Sequence, residues 1–345
     1  MRSILVLSLF IAPAFAKDLQ MYWIDVEGGA ATLIVSPSGQ SLLIDTGWEV
    51  DGRDAKRIVA AARDAGVTKI DHLIISHYHA DHVGGLAALS KLIPILNFYG
   101  RGDQVEDVNK PWYNSFVGAA QGKRTIVKPG GKIPIAGLDA LVVASDSKML
   151  TKPVKGGGPN ALCANAAEQT PAGIENQYMV GVRVAYGKFS FLALLDLDWE
   201  KEMELVCPVN MLGKITLYQT SRHGFLDGSG SPAMLGAIRP QVVVMNNGPR
   251  KGMGQVDNTV KISKPAPYEK NHYLRLAGTP GVEDIWQGHL SLLDPDPKHN
   301  TARDQIANFE ETADCKGNWI KATVADGKLT MTNGRNGFTK SYQIR

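Results

Sequence analysis

Cysteine is scarce in this chain of 345 residues: Cys163, Cys207 and Cys315 are the whole complement. No two stand in a Cys-x-x-Cys spacing, which argues against a thiolate metal site. Long apolar runs are missing as well. The one short run, Ile4 to Ile11, follows Arg2 and precedes Ala14-Phe15-Ala16. That is the form of a removable secretion signal (1–16) rather than of a membrane span, and the mature chain is expected to begin near Lys17. In an exported chain three cysteines form at most one disulfide; Cys163 with Cys207 is the expected pair, because they bracket the second half of the motif set. Charge of one sign is also lacking: 37 basic residues face 34 acidic ones, for a net +3. The basic residues are scattered, and the short groups Lys148/Lys152/Lys155 and Arg250-Lys251 read as solvated surface, not as a dedicated nucleic-acid face. Gly156-Gly157-Gly158-Pro159 is followed by no Lys-Ser/Thr and helix, so it is not a phosphate-binding loop. No fixed-period repeat and no low-complexity tract is present.

What is present is a concentration of donors. Residues 74–85 read I-I-S-H-Y-H-A-D-H-V-G-G, placing His77, His79, Asp81 and His82 directly after an apolar run of strand type. A strand that ends in a tight turn splays successive side chains toward one point, and imidazole with carboxylate is a suitable donor set for zinc. Elsewhere, Asp196 ends the apolar run Phe191 to Leu195, and His223 follows the run Lys214 to Thr220 before Gly224. Asp45 stands ahead of Thr46-Gly47, and Asn246-Asn247-Gly248 at another strand end.

Periodicity gives mixed α/β structure. Strands are expected at 19–26, 31–35 and 42–45, joined by short turns as an antiparallel meander. A helix at 54–65, a strand at 70–76, a helix at 86–92 and a strand at 95–99 follow. In the second half a hairpin at 178–185 and 189–195 leads to a helix at 199–206, for which Asp198 is the natural N-cap. A strand at 214–220, a helix at 232–238, a strand at 241–245, a helix at 265–277 and a strand at 282–293 continue the alternation. The long segment 147–175 reads as a lid or substrate wall. Three strands around Ala325-Asp326-Gly327 and Asn333 to Gly337 form a C-terminal β unit. The domain reading is a signal (1–16), one α/β domain (17–312) and a β appendage (313–345).

His77-Tyr78-His79-Ala80-Asp81-His82 resembles the signature of the metallo-β-lactamase superfamily. The stretches Asp25 to Gly39 and Leu42 to Gly47 look like the extracellular hydrolase-like domain of the competence protein ComEC, and the likeness runs roughly from Leu19 to Gly248. It implies a four-layer αββα sandwich with the metals at its edge. It also implies two zinc ions, with manganese or iron as second choice, held by His77, His79, Asp81, His82, a bridging Asp196 and His223. Asp81 would orient the attacking water, and Asp45 would orient a ligating histidine from behind. Two positions depart from the pattern. Arg222 stands where ComEC-like sequences carry a first histidine and would grip an anionic substrate. Asn176 stands where other members place a third histidine and ComEC-like sequences tend to show Asn, and it ligates, hydrogen-bonds from behind a ligand, serves a turn or contacts substrate. Asn247 is a further substrate-contact candidate. The activity implied is secreted or periplasmic hydrolysis of a small or oligomeric substrate: a phosphodiester, including extracellular nucleic acid, or a carboxylic ester, lactone or β-lactam. A mononuclear-metal oxygenase or a degenerate metal-binding protein of the same fold is the competing reading. No membrane span is expected after signal removal, and oligomeric state has no signal in the sequence.

Overall fold

The computed structural model describes residues 18–171, 173–294, 296–312 and 315–345; the expected secretion signal lies outside them. The N-terminal meander forms as its turns predict: Leu19–Trp23, Thr32–Val35 and Ser41–Ile44 pair antiparallel. The chain then passes through the helix Arg53–Asp64 and returns as Ile70–Ile75, parallel to Ser41–Ile44. Ile95–Gly100 and Arg124–Ile126 add further parallel strands. The second sheet runs Ile306–Asn308, Asp284–His289, Val242–Met245, Leu217–Gln219, Phe189–Ala193, Gly181–Tyr186, Asp139–Ser145 and Lys132–Ile133, and its first five strands are parallel.

Side-chain alternation along the strands builds the layers. Leu19, Met21, Trp23, Leu42, Ile44 and Ile74 share one core with Phe191, Leu217, Val243 and other residues of the second sheet. Their neighbours Tyr22, Leu43, Leu73 and Ile75 join instead Ile58 and Ala62 of the first helix, Leu86 and Leu89 of Leu86–Leu92, and Phe116 of Lys110–Ala120. Because β side chains alternate with period two, one run of apolar residues serves both faces. The helices Trp199–Val206, Pro232–Ile238 and His272–Ala277 supply Leu205, Met234, Ile238 and Leu276 to the core of the second sheet. The arrangement is an αββα sandwich.

The C-terminal strands form where their turns place them, at Ile320–Ala325, Lys328–Asn333 and Thr339–Gln343. They do not hang free. Ile320–Ala325 pairs antiparallel with Leu19–Trp23, so the unit continues the first sheet to nine strands, with Leu329, Met331 and Tyr342 in the shared core. The expected helix 265–277 is shorter than its pattern. Pro265 and Pro267 lack the N–H groups a helix interior needs, and the helix starts at His272, where the Asn271 side chain accepts from Leu274 N–H at 3.2 Å. The segment 147–175 is pinned rather than lid-like over much of its length. Cys163 and Cys207 are disulfide-bonded, and Gly158–Pro159 pairs with Val209–Asn210. Cys315 is a free, buried thiol.

Glu202 lies fully buried on the helix Trp199–Val206 and accepts from Ser231 N–H at 3.1 Å. Burial pushes its pKa up from 4.5 to about 8, against the opposing pull of Ser221, backbone N–H groups and Arg275; the Tyr218 phenol faces the same site. A carboxyl whose folded-state pKa exceeds its unfolded value contributes stability that is complete below about pH 4.5 and is lost as pH rises through about 8. Wild-type stability is therefore expected to fall by up to about 1.4 kcal/mol per pH unit from this group across that window. Glu202→Gln should flatten the fall, as read from denaturant midpoints between pH 5 and 9. Parallel pH profiles for the two proteins would refute the assignment.

Candidate metal centre

The parallel strands of both sheets end at one edge of the sandwich, and the donor residues sit just past those ends. Asp45 follows Ser41–Ile44, and Ser76 and His77 follow Ile70–Ile75. Asp196 comes shortly after Phe189–Ala193, His223 after Leu217–Gln219, and Asn246 directly after Val242–Met245. Ligand sites in open α/β sheets form at such carboxyl ends, where loops can turn side chains inward without breaking the ladder. The loops turn sharply here: Asp45, Leu195, Arg222 and His223 all hold positive φ, at 61°, 46°, 47° and 51°. Strained backbone of this kind persists where the surroundings over-determine it and gathers at functional sites.

Two groups of donors converge at this edge. Asp81, His82, Asp196 and His223 bring one ligand atom each to within 4.8 Å of one another, and so do His77, His79 and Asp196. Asp196 belongs to both. Its Oδ1 lies 3.4 Å from His82 Nε2 and 3.1 Å from His223 Nε2. Asp81 Oδ2 lies 3.5 Å and 3.4 Å from the same two nitrogens. His77 Nε2 is 2.9 Å from His79 Nδ1. His82 Nε2, His223 Nε2 and Asp196 Oδ1 are buried and make no hydrogen bond. Orphaned buried donors and acceptors are expensive, and these are imidazole and carboxylate atoms aimed at common points, so the residues fit a divalent cation. His79 is the more open member, with Glu106 Oε2 at 3.9 Å from its Nε2.

The electrostatics follow from dense burial. Burial drives the His77 pKa well below its usual value, and the neighbouring His82 and His79 push the same way. Burial also disfavours charge on His82, but Asp196, Asp81 and Asp45 outweigh it and lift its pKa well above the ordinary range. Asp81 is held well down by Lys251 and His82, and Asp196 by His223 and His82, each against the opposing effect of burial.

A supporting shell holds the donors in place. Asp45 Oδ2 sits 2.7 Å from His82 Nδ1, while the Ser76 N–H and Oγ–H donate to its two oxygens at 2.7 Å each. With Nδ1–H committed to Asp45, a cation that displaces the second proton of His82 would meet the Nε2 lone pair facing Asp81 and Asp196, the tautomer a metal needs. Three contributors fall outside the expected ligand set. Asn246 lies with its amide 2.9 Å from His223 Nδ1. An amide oxygen turned to that Nδ1–H would do for His223 what Asp45 does for His82. Glu175 accepts from Tyr78 N–H at 2.9 Å and is ion-paired with the buried Arg101, which fixes the centre of the His77–His82 turn. Lys251 is ion-paired with Asp81 and stacked 4.5 Å from the Trp48 ring centroid. It is therefore part of the site and not solvated surface. Only Asn246 carried a signal, its place at a strand end.

Arg222 and Asn247 are committed to other partners. The Arg222 guanidinium is buried, ion-paired with Asp257 and stacked on Phe225, so it is not poised to grip a substrate anion. Asn247 is buried and donates to His289 O and Gly248 O; the adjacent Asn246 is the one that reaches the site. Asn176 is buried with its Oδ1 unpartnered. His289 pairs with Asp25 at 2.8 Å and gathers with Asp25 and Cys315 apart from the His77–His82 donors, while His272 bonds the Phe225 carbonyl and His299 pairs with Asp294.

Residues 24–163 match the metallo-β-lactamase superfamily, a span that includes Asp45 and the whole His77–His82 turn. A stretch of 71 residues is 34% identical to a hydroxyacylglutathione hydrolase of Xanthomonas campestris pv. campestris, covering 21% of this chain and 25% of that protein. Another, of 69 residues, is 35% identical to an atrochrysone carboxyl ACP thioesterase of Aspergillus terreus, covering 20% and 21%. The chain thus spans about a quarter of the length of the curated relatives it matches. Among solved structures, the metallo-β-lactamase fold protein YhfI of Bacillus subtilis is similar over 77% of this chain and 96% of its own, at 13% identity and a TM-score of 0.44. Among the described residues no helix is long and apolar enough to cross a membrane.

Proposed function

We propose that this protein is a secreted or periplasmic, zinc-dependent hydrolase that cleaves an acyl bond in a carboxylic ester, thioester or lactone. The observation that carries the reading is the convergence of His77, His79, Asp81, His82, Asp196 and His223, with buried ligand atoms left unpartnered. Bound divalent metal would supply Lewis acidity and lower the pKa of a water at the site. The chain's own residues do the rest. Asp45 would hold His82 in the ligating tautomer, Asp81 would orient a water, and the open flank at His79 would let substrate approach. Acyl substrates are preferred to phosphodiesters because the guanidinium expected at an anionic substrate, that of Arg222, is engaged by Asp257. The names of the two curated relatives, a hydrolase and a thioesterase, agree with this preference. The Cys163–Cys207 disulfide suits an oxidising compartment.

The test couples elemental analysis of the purified protein to a panel of aryl ester, thioester, lactone, β-lactam and bis-aryl phosphate substrates. Zinc with turnover of an acyl substrate, little affected by salt, is the expected result. Preferential cleavage of the phosphodiester, with binding that weakens steeply as salt is added, would transfer the reading to nucleic acid. One iron per chain without hydrolysis would transfer it to an oxygenase.

A further inference from the structure

Lys251 has no place in the ligand set, yet it lies against the most crowded ligand atom of the centre. His82 Nε2 and His223 Nε2 approach Asp81 at the same oxygen, Oδ2, at 3.5 and 3.4 Å. The Lys251 ammonium is ion-paired with that oxygen too. The lysine is not a chance visitor. Its loop is closed by a hydrogen bond from Gly248 N–H to the Lys251 carbonyl at 2.9 Å. The following residue, Gly252, is seated so closely on the His223 carbonyl that a Cβ there would collide with it. Trp48 supports the ammonium from its ring face. The side chain keeps 26% of its surface exposed, which leaves it a way out to solvent.

We propose that Lys251 governs filling of the Asp81–His82–Asp196–His223 position: its ammonium occupies Asp81 Oδ2, so a divalent cation enters there only by displacing or crowding a resident positive charge. The other position differs. Asp196, the carboxylate of the His77–His79 group, is paired with His82 and His223 and with no lysine or arginine among the described residues. The two positions therefore bind metal unequally. The His77–His79–Asp196 position fills first, and the Asp81 position fills only as free metal rises. A unit charge a few ångströms from a dication weakens binding by at least about tenfold, even with substantial solvent screening. The inference rests on the metal-centre reading above, and its test separates the two.

The experiment is a zinc titration of the full chain against a chromophoric chelator, with stoichiometry by elemental analysis, on wild type, Lys251→Met, Lys251→Arg and Asp81→Asn. Wild type should show one tight and one weak binding event. Lys251→Met should tighten the weak event by about tenfold or more and leave the tight one in place. Lys251→Arg, which keeps the charge, should behave as wild type. Asp81→Asn should abolish the weak event. If Asp81→Asn removes an event while Lys251→Met changes neither, or weakens one, Asp81 is a ligand and the role given to Lys251 is wrong. If Asp81→Asn binds zinc as wild type does, or neither binds any, the metal-centre reading itself fails and takes this inference with it.

Discussion

Asp196→Ala is expected to lose both bound metals and to reduce turnover by at least about 10³-fold, several kcal/mol of transition-state stabilisation. The effect should exceed that of any one histidine, because Asp196 is the donor common to both groups. Its Oδ1 faces His82 and His223 together and makes no hydrogen bond that would hold it otherwise. Losing this side chain removes anionic charge from a position where two imidazoles already converge, and any dication there would then be held by fewer donors. Elemental analysis after gel filtration reads the metal loss, turnover on the best substrate of the panel reads the activity, and circular dichroism checks that the fold remains. Full metal content and full turnover in the variant would remove Asp196 from the centre.

Asp45 should give the second large effect, and two substitutions separate its two parts. Asp45 is fully buried and satisfies Ser76 N–H, Ser76 Oγ–H and His82 Nδ1 at once. Asp45→Ala leaves all three unpaired, so a loss of about 3–5 kcal/mol of stability is expected, as for removing one partner of a buried ionic pair. Asp45 also holds a φ of 61°, which alanine tolerates less well than aspartate or asparagine. Asp45→Asn keeps shape and backbone preference but changes the chemistry. With its oxygen given to Ser76 N–H, the new amide would present N–H groups to His82 Nδ1. That drives the imidazole proton to Nε2 and blocks the lone pair aimed at Asp81 and Asp196. Asp45→Asn is therefore expected to fold, melt within a few degrees of wild type and bind zinc about 10–100-fold more weakly. Equal zinc affinity in wild type and Asp45→Asn would show that Asp45 does not set the tautomer.

Much of the site can be read from the chain because its donors are short-range. His77, His79, Asp81 and His82 fall within six positions, so one turn after one strand brings them together, and local spacing carries the information. Asp196 and His223 each follow an apolar run that reads as a strand, and the edge where parallel strands end does the rest. Arg222 and Asn247 show where that reasoning stops. Both stand beside residues that reach the centre, His223 and Asn246, and a difference of one residue at a tight turn sends a side chain in another direction. Spacing alone does not say which of two neighbours points inward. Lys251 and Glu175 were illegible for another reason: each acts through a partner far away in sequence, Asp81 and Tyr78, and nothing local to them marks the encounter.

The same division holds for the fold. The apolar residues in Leu19–Trp23, Ser41–Ile44 and Ile70–Ile75, and the turn residues between strands, determined by themselves that these segments are strands; only the structure decided that both their faces are buried. The three C-terminal strands were equally determined by Asp326-Gly327 and the turn at Asn333 to Gly337. Only the tertiary structure decided that they join the first sheet beside Leu19–Trp23. Hydrogen bonding along a strand edge is generic, so the partner is chosen by burial of Leu329, Met331 and Tyr342 in the common core. It likewise decided that a lysine would settle on Asp81. The chain alone specifies a metal-ligating turn; the packing of two sheets face to face specifies which charges that turn must share its ligands with.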